Sequence, residues 1–158
     1  MGGPLHGYAL KAWLERYMGS LITVNFGAIY PLLRRLSEQG LIESRHEEHQ
    51  QRKITTYSIT RAGRKRFKAE MLSFANESRV NARSRFLTKA YFFAQVSPAE
   101  RIAILEQRLV VLSQKPKLEE TELPGDEYKR ALYEFAGGLI ETEAAWVQWM
   151  LTAERASI

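Results

Sequence analysis

Leu10, Trp13, Leu14 and Tyr17 recur at intervals of three and four, which predicts a helix over residues 4–18 with one face on a core. Gly19-Ser20 breaks that pattern. A second helix is expected from Asn25 to Gly40, a glycine suited to a left-handed C-terminal turn. Taking Ile29 as the origin and turning about 100° per residue, Phe26, Leu32, Leu33 and Leu36 fall within about 60° of it. Gly27, Tyr30, Pro31, Arg34, Arg35 and Glu38 fall on the opposite face. A helix-interior proline loses a backbone bond and presses on the carbonyl four residues back, so Pro31 predicts a small kink against Gly27.

Beyond Gly40 the period shortens. Leu41–Glu48 and Lys53–Thr60 read as strands, with Thr55, Tyr57 and Ile59 alternating on one face and a very polar tip between them. The expected unit is a two-stranded hairpin leaning on the helices before it. Thr60 can cap a following helix that carries Arg61, Arg64, Lys65, Arg66 and Lys68 on its early turns and turns Phe67, Met71, Leu72 and Phe74 inward. Asn76–Arg85 is polar and marks a candidate boundary, dividing the chain into residues 1–78 and 79–158. Phe86–Ala94 reads as an aromatic-rich helix, and Ser97-Pro98-Ala99-Glu100 is a strong helix start. The helix after it carries Ile102, Leu105, Leu109 and Leu112. Residues 114–126 read as a linker.

The last helix, about 127–155, holds Leu132, Phe135, Leu139, Thr142, Trp146, Trp149 and Ala153 at alternating spacings of three and four. That heptad-like seam has a second apolar stripe beside it at Ala136, Ile140, Val147 and Leu151. It is compatible with the core of a monomeric helical domain or with a helix laid against its twin in a symmetric dimer. The length of the seam favours the dimer, with Leu132, Phe135, Leu139, Trp146 and Trp149 at the interface.

Charge divides this chain in two. Residues 1–89 hold 16 Lys+Arg and 7 Asp+Glu, a net of +9, and residues 90–158 hold 7 and 11, a net of −4. A basic half followed by an acidic half suggests that the first meets a polyanion. The 158 residues include no cysteine, which excludes a disulfide scaffold and Cys-ligated metals. No apolar run approaches the ~20 residues of a membrane span, so a cytoplasmic protein is expected.

A helix, a tight break, a second helix with a basic outer face and then a hairpin is the order of a winged helix-turn-helix, whose second helix enters the DNA major groove. The expected architecture is mainly α (α+β), a winged unit followed by a C-terminal helical dimerisation domain. Arg34 is placed for a bidentate contact to guanine or to phosphate. Tyr8, Tyr30 and Asn25 can donate to phosphate, Gly27, Pro31 and Arg35 complete the exposed face, and Arg52 and Lys53 follow the backbone from the wing. As plain packing residues, Tyr8 and Tyr30 would instead be half-buried.

Three blocks of residues, in order, resemble the PadR family of transcriptional regulators. They are His6-Gly7-Tyr8-Ala9-Leu10, then Gly27 to Arg35 running on to Glu38-Gln39-Gly40-Leu41-Ile42, then Tyr57-Ser58-Ile59-Thr60-Arg61-Ala62-Gly63-Arg64. Phe86–Phe93 and Glu143–Trp149 resemble, more loosely, the virulence-activator type of C-terminal domain. The resemblance implies a dimeric winged-helix repressor or activator, some members of which respond to phenolic or other aromatic ligands. Members usually begin with a further helix some fifteen residues ahead of the His-Gly-Tyr block; here that helix is expected to be absent, exposing part of the core. Members often carry a lysine two residues before the wing tyrosine. Thr55 stands there instead, leaving Arg52 and Lys53 to supply charge.

A symmetric dimer would set two reading helices ~34 Å apart, one turn of duplex, so the expected operator is an inverted repeat. Tyr91, Phe93 and Trp146 are candidates for holding a small aromatic or phenolic effector. No nucleotide loop, nucleophile elbow or metalloprotease motif is present, so neither enzyme activity nor a cofactor is expected. His46 and His49 beside Glu47 and Glu48 read as a solvated tip, and no metal site is expected. Two alternatives stand beside the regulator: a winged-helix protein-interaction module that does not read DNA, and an aromatic-ligand sensor. The charge of the first half argues against the former.

Overall fold

A computed structural model describes residues 5–18, 25–49, 52–74, 79–114 and 127–158, with side chains excepted at 17–18, 26, 47–49, 52–53 and 79–81. The chain divides into two compact units, Met1–Phe92 and Phe93–Ile158. The first is a winged helix and the second a helical hairpin. The candidate boundary near residue 78 falls on residues 75–78, and most of the expected linker on 115–126, both outside the described residues.

The first unit opens with a strand, β1 (Leu5–His6), followed by α1 (Gly7–Met18). The helix expected over 4–18 therefore starts later than its pattern suggested. The first two described residues pair antiparallel with the strand of Thr56 and Tyr57 instead. Two residues offer no alternation to read, and their partner lies some fifty positions away. His6 ends the strand and caps the helix at once, because its Nδ1 accepts the Ala9 N–H at 3.1 Å.

The second expected helix divides into a 3-10 turn, Phe26–Ala28, and α2 (Ile29–Glu38). Pro31 is the third residue of α2. Its missing N–H belongs to the first turn, where helix donors have no partner within the helix, so no interior bond is lost and the kink expected against Gly27 is not needed. Ile29 and Leu33 are buried as the stripe required, but Leu32 is 50% exposed and lies on the flank of the stripe. Gly40 takes φ +67°, and the N–H groups of Gly40 and Leu41 donate to the carbonyls of Ser37 and Leu36, which closes α2 in a Schellman turn.

The hairpin comprises β2 (Ile42–His49) and β3 (Arg52–Ile59), in register from Ile42 with Ile59 to His49 with Arg52. With β1 it makes, among the described residues, a three-stranded antiparallel sheet of order β1-β3-β2, where the sequence suggested two strands. Thr60 then joins three elements. Its backbone N–H donates to the Leu41 carbonyl, and its hydroxyl lies 2.7 Å from the Gly40 carbonyl and accepts the Gly63 N–H at 3.0 Å. The last of these bonds caps α3 (Arg61–Leu72).

Gly63 lies so close to the turn that a Cβ there would stand 2.0 Å from the Leu41 carbonyl oxygen. Next comes α4 (Arg79–Tyr91), which includes polar residues read as a boundary. Its end is held by edge-on aromatic contacts: Trp13 with Tyr91 at 5.2 Å, Tyr91 with Phe92 at 5.3 Å, and Phe92 with Phe67 at 5.5 Å.

The second unit begins with a 3-10 turn, Phe93–Gln95, and packs α5 (Pro98–Ser113) on α6 (Glu127–Ala156). Ser97 and Glu100 form the capping box their spacing predicts. Leu105 and Val147 are fully buried between the helices, with Ile104, Leu112 and Leu151 around them. Ion pairs lace the two helices together: Arg101 with Glu154 at 2.8 Å, Arg155 with Glu106 at 2.6 Å, and Arg108 with Glu143 at 2.7 Å. The last pair is buried, and Arg108 also donates Nε to the same carboxylate oxygen at 2.8 Å. Burying two charges is tolerated because each satisfies the other.

Candidate nucleic-acid interface

Two features bring the candidate face together. One is the cap at His6, which starts α1 so that Gly7 is buried and Tyr8 is 72% exposed on its first turn. The other is the absence of a side chain at Gly7. Tyr30, from the first turn of α2, lies over that glycine, its Cε1 only 2.7 Å from where a Cβ would stand. The ring remains 58% exposed. Tyr30 thus packs on one edge and faces solvent on the other, and Tyr8 is more exposed than packing alone would leave it.

Along α2, Tyr30, Pro31, Arg34 and Arg35 are all exposed, opposite buried Ile29 and Leu33. The Arg34 side chain is 82% exposed and pairs loosely with Glu38, Nε to Oε1 at 3.6 Å. An exposed pair of this kind is worth well under ~1 kcal/mol, so a phosphate or a base edge can displace the carboxylate. Asn25 stands at the start of this segment, its Oδ1 accepting the Gly27 N–H at 3.1 Å. Its amide oxygen is therefore engaged locally, and what it can offer a phosphate is the amide N–H2. Gly27 itself is exposed, with only Asn25 Oδ1 near a would-be Cβ, at 3.4 Å.

The hairpin extends beyond this face. Arg52 and Lys53 are the first two residues of β3, opposite His49 and Glu48, and their side chains are outside the described residues. Arg45 on β2 is a further exposed cation that the sequence reading passed over, paired with Glu43 at 3.7 Å. His46 Nδ1 and Thr55 Oγ1 are 3.0 Å apart across the two strands.

Tyr91 is held in the first unit by Trp13 and Phe92, while Phe93 and Trp146 belong to the second, Phe93 buried and Trp146 38% exposed. On α6 the seam expected at a dimer interface is largely uncovered: Leu132 is 66% exposed, Phe135 64% and Trp149 67%. Leu139 is half-buried. The neighbouring stripe, through Val147 and Leu151, faces α5 instead. No helix among the described residues is long and apolar enough to cross a membrane.

Among curated proteins none matches this chain. Among solved structures the chain is similar to Bacillus subtilis PadR in complex with operator DNA, at 18% identity over 96% of this chain and 92% of the other, with a TM-score of 0.46. It is similar to the same protein in complex with p-coumaric acid at 17% identity, over 97% and 92%, with a TM-score of 0.42. A PadR-like transcriptional regulator from Bacillus cereus is similar at 20% identity over 96% and 88%, with a TM-score of 0.41. Residues 2–69, the segment that builds this face and the hairpin, match the model of the transcriptional regulator PadR-like family.

Proposed function

We propose that this chain is a cytoplasmic, DNA-binding transcriptional regulator of the PadR type, a repressor that binds an inverted-repeat operator as a homodimer. The observation that carries the proposal is the outer face of α2, where Tyr30 and Arg34 are exposed one helical turn apart inside the PadR-like segment. Arg34 reads guanine or clamps phosphate, while Tyr8, Tyr30 and Asn25 position the helix on the backbone. Arg52 and Lys53 follow the neighbouring phosphates from the hairpin. The non-enzymatic role follows from a binding face that needs no reaction chemistry.

Dimerisation rests on the uncovered seam of α6. A seam that leaves Leu132, Phe135 and Trp149 exposed along one helix is the sort of apolar surface that a second copy covers. The second unit, in this reading, is a dimerisation domain of the virulence-activator type, and the DNA-binding domain ends near residue 78. Tyr91, Phe93 and Trp146 are proposed to sense a small phenolic effector, in keeping with the p-coumaric acid held by the B. subtilis protein.

Selection of bound duplexes from a random pool tests the central reading. Enrichment of an inverted repeat is expected. A pool from which no duplex is retained would leave a protein-interaction module as the better description. Sedimentation of the Trp149→Arg variant tests the dimer, with a monomer expected, and quenching of tryptophan fluorescence by hydroxycinnamates tests the effector.

A further inference from the structure

The reading face accounts for Arg34, Arg35, Arg52 and Lys53, but not for the cations of α3. Arg61, Arg64, Lys65 and Lys68 recur at three, four and seven positions along that helix, which gathers them within about 100° of its circumference. All of them are exposed. Buried Gly63 and Phe67, whose ring meets Phe92, lie away from it, while buried Met71 borders the stripe on the Arg64 side. Arg66 lies off the stripe and pairs with Glu70, the acidic residue of this helix.

The stripe is not an extension of the reading face. Thr60 fixes the start of α3 to Gly40 and Leu41, at the C-terminal end of α2 and the base of the hairpin. Tyr30 and Tyr8 stand at the opposite end of α2, ~15 Å of helix away. The hairpin tip is further still, eight residues of strand or ~26 Å from its base. With Tyr30 seated in a major groove, the stripe therefore begins ~15 Å away, at the other end of α2.

We infer that the outer face of α3, through Arg61, Arg64, Lys65 and Lys68, is a second DNA-binding surface that takes the phosphate backbone of duplex outside the reading helix, without regard to sequence. This inference rests on the proposed DNA-binding role. The choice of duplex over an acidic protein follows from composition. Protein-recognition surfaces centre on buried aromatic or apolar anchors, whereas the aromatic side chain of α3, Phe67, is turned inward. Rows of Lys and Arg at helical spacing suit a rod of phosphates, and the whole basic half carries 16 Lys+Arg against 7 Asp+Glu.

The test is the salt dependence of binding of the full chain to a long random-sequence duplex of about six helical turns. The combined Arg61→Ser, Arg64→Ser, Lys65→Ser variant should lower the slope of log affinity against log salt by about 2 to 3, each lost phosphate contact removing about 0.9. The Arg61→Lys, Arg64→Lys variant keeps the charge and should keep the parent slope. Single Arg64→Glu and Lys65→Glu variants read the same quantity should the triple variant fold poorly. A parent-like slope in the serine and glutamate variants would overturn the inference, and a parent that holds poly-L-glutamate more tightly than the duplex, through the same residues, would assign the stripe to an acidic protein. The two readings fail separately. Weakened operator binding by Arg34→Ala bears on the reading face alone, and the slope of the serine variant on the stripe alone.

Discussion

The ring of Tyr30 lies across Gly7, so that the first turn of α1 and the first turn of α2 meet through one aromatic edge and one missing side chain. The atoms closest to the vacant Cβ position are Cε1, Cζ and the hydroxyl oxygen, all at the far end of a side chain with solvent on its other edge. That geometry separates the stability of the fold from the placement of a side chain proposed to bind DNA.

Gly7→Ala is expected to push the Tyr30 ring outward rather than force the helices apart. Because the ring can swing into solvent, stability should fall by less than about 1 kcal/mol, below the usual cost of overpacking. DNA affinity should fall by a larger amount, since Tyr30 leaves its seat. Denaturant midpoints and gel shifts on one preparation measure the two quantities. Equal losses in both would contradict the separation.

At Gly63 the opposite holds. The obstacle there is the backbone carbonyl of Leu41, 2.0 Å from a would-be Cβ, and it is already engaged by the Thr60 N–H. Backbone held by hydrogen bonds has nowhere to go, so Gly63→Ala should destabilise the winged unit by about 3 kcal/mol or more. Thermal or urea unfolding monitored by circular dichroism checks it, and Ala62→Gly in the same turn is the control.

The Arg108–Glu143 pair allows a test by subtraction. Glu143→Ala leaves a buried guanidinium without its carboxylate and should cost about 3 to 5 kcal/mol. Arg108→Met combined with Glu143→Leu removes both charges while keeping apolar volume, and should recover most of that loss. Unfolding free energies of parent, single and double variants form the comparison. A double variant as unstable as the single one would mean that the pair does more than neutralise its own burial.

Arg34→Ala should weaken operator binding by about 1 to 3 kcal/mol, the range of one bidentate base contact. The side chain is 82% exposed and its pair with Glu38 is loose, so stability should change by no more than about 0.5 kcal/mol. Titration of the variant on the selected operator, alongside its melting temperature, gives both numbers. Unchanged affinity would remove Arg34 from the reading face.

What was legible in the chain was local. Gly40, Thr60 and the Ser97–Glu100 box each announce a helix end through residues within four positions, and each takes the role its spacing implies. The buried stripe through Ile29 and Leu33 follows from period alone. Contacts closed over long separations left weaker traces. The pairing of His6 with Thr56 spans fifty residues and rests on two strand positions, too few for alternation to show.

Glu143 offered a signal that went unread. It interrupts the apolar stripe between Ile140 and Val147, and a carboxylate at such a position requires a cation from another helix. Leu32 departs from the stripe because a window of about 60° on either side of Ile29 is wider than the face that α2 covers. Of the candidate site, the outward face of α2 was visible as polar residues opposite apolar ones. The seat that Gly7 provides for Tyr30 was not, since glycine has no period of its own.

Thr60 sets the mechanical character of the head. With one hydroxyl and one amide it ties the close of α2, the root of the hairpin and the start of α3 into a single joint. A helix and a finger fastened there cannot flex past one another without breaking several bonds at once. In the proposed regulator, α2 and the hairpin would therefore meet or leave a duplex as one piece, and a mutation that loosened this joint would blunt the grip of both.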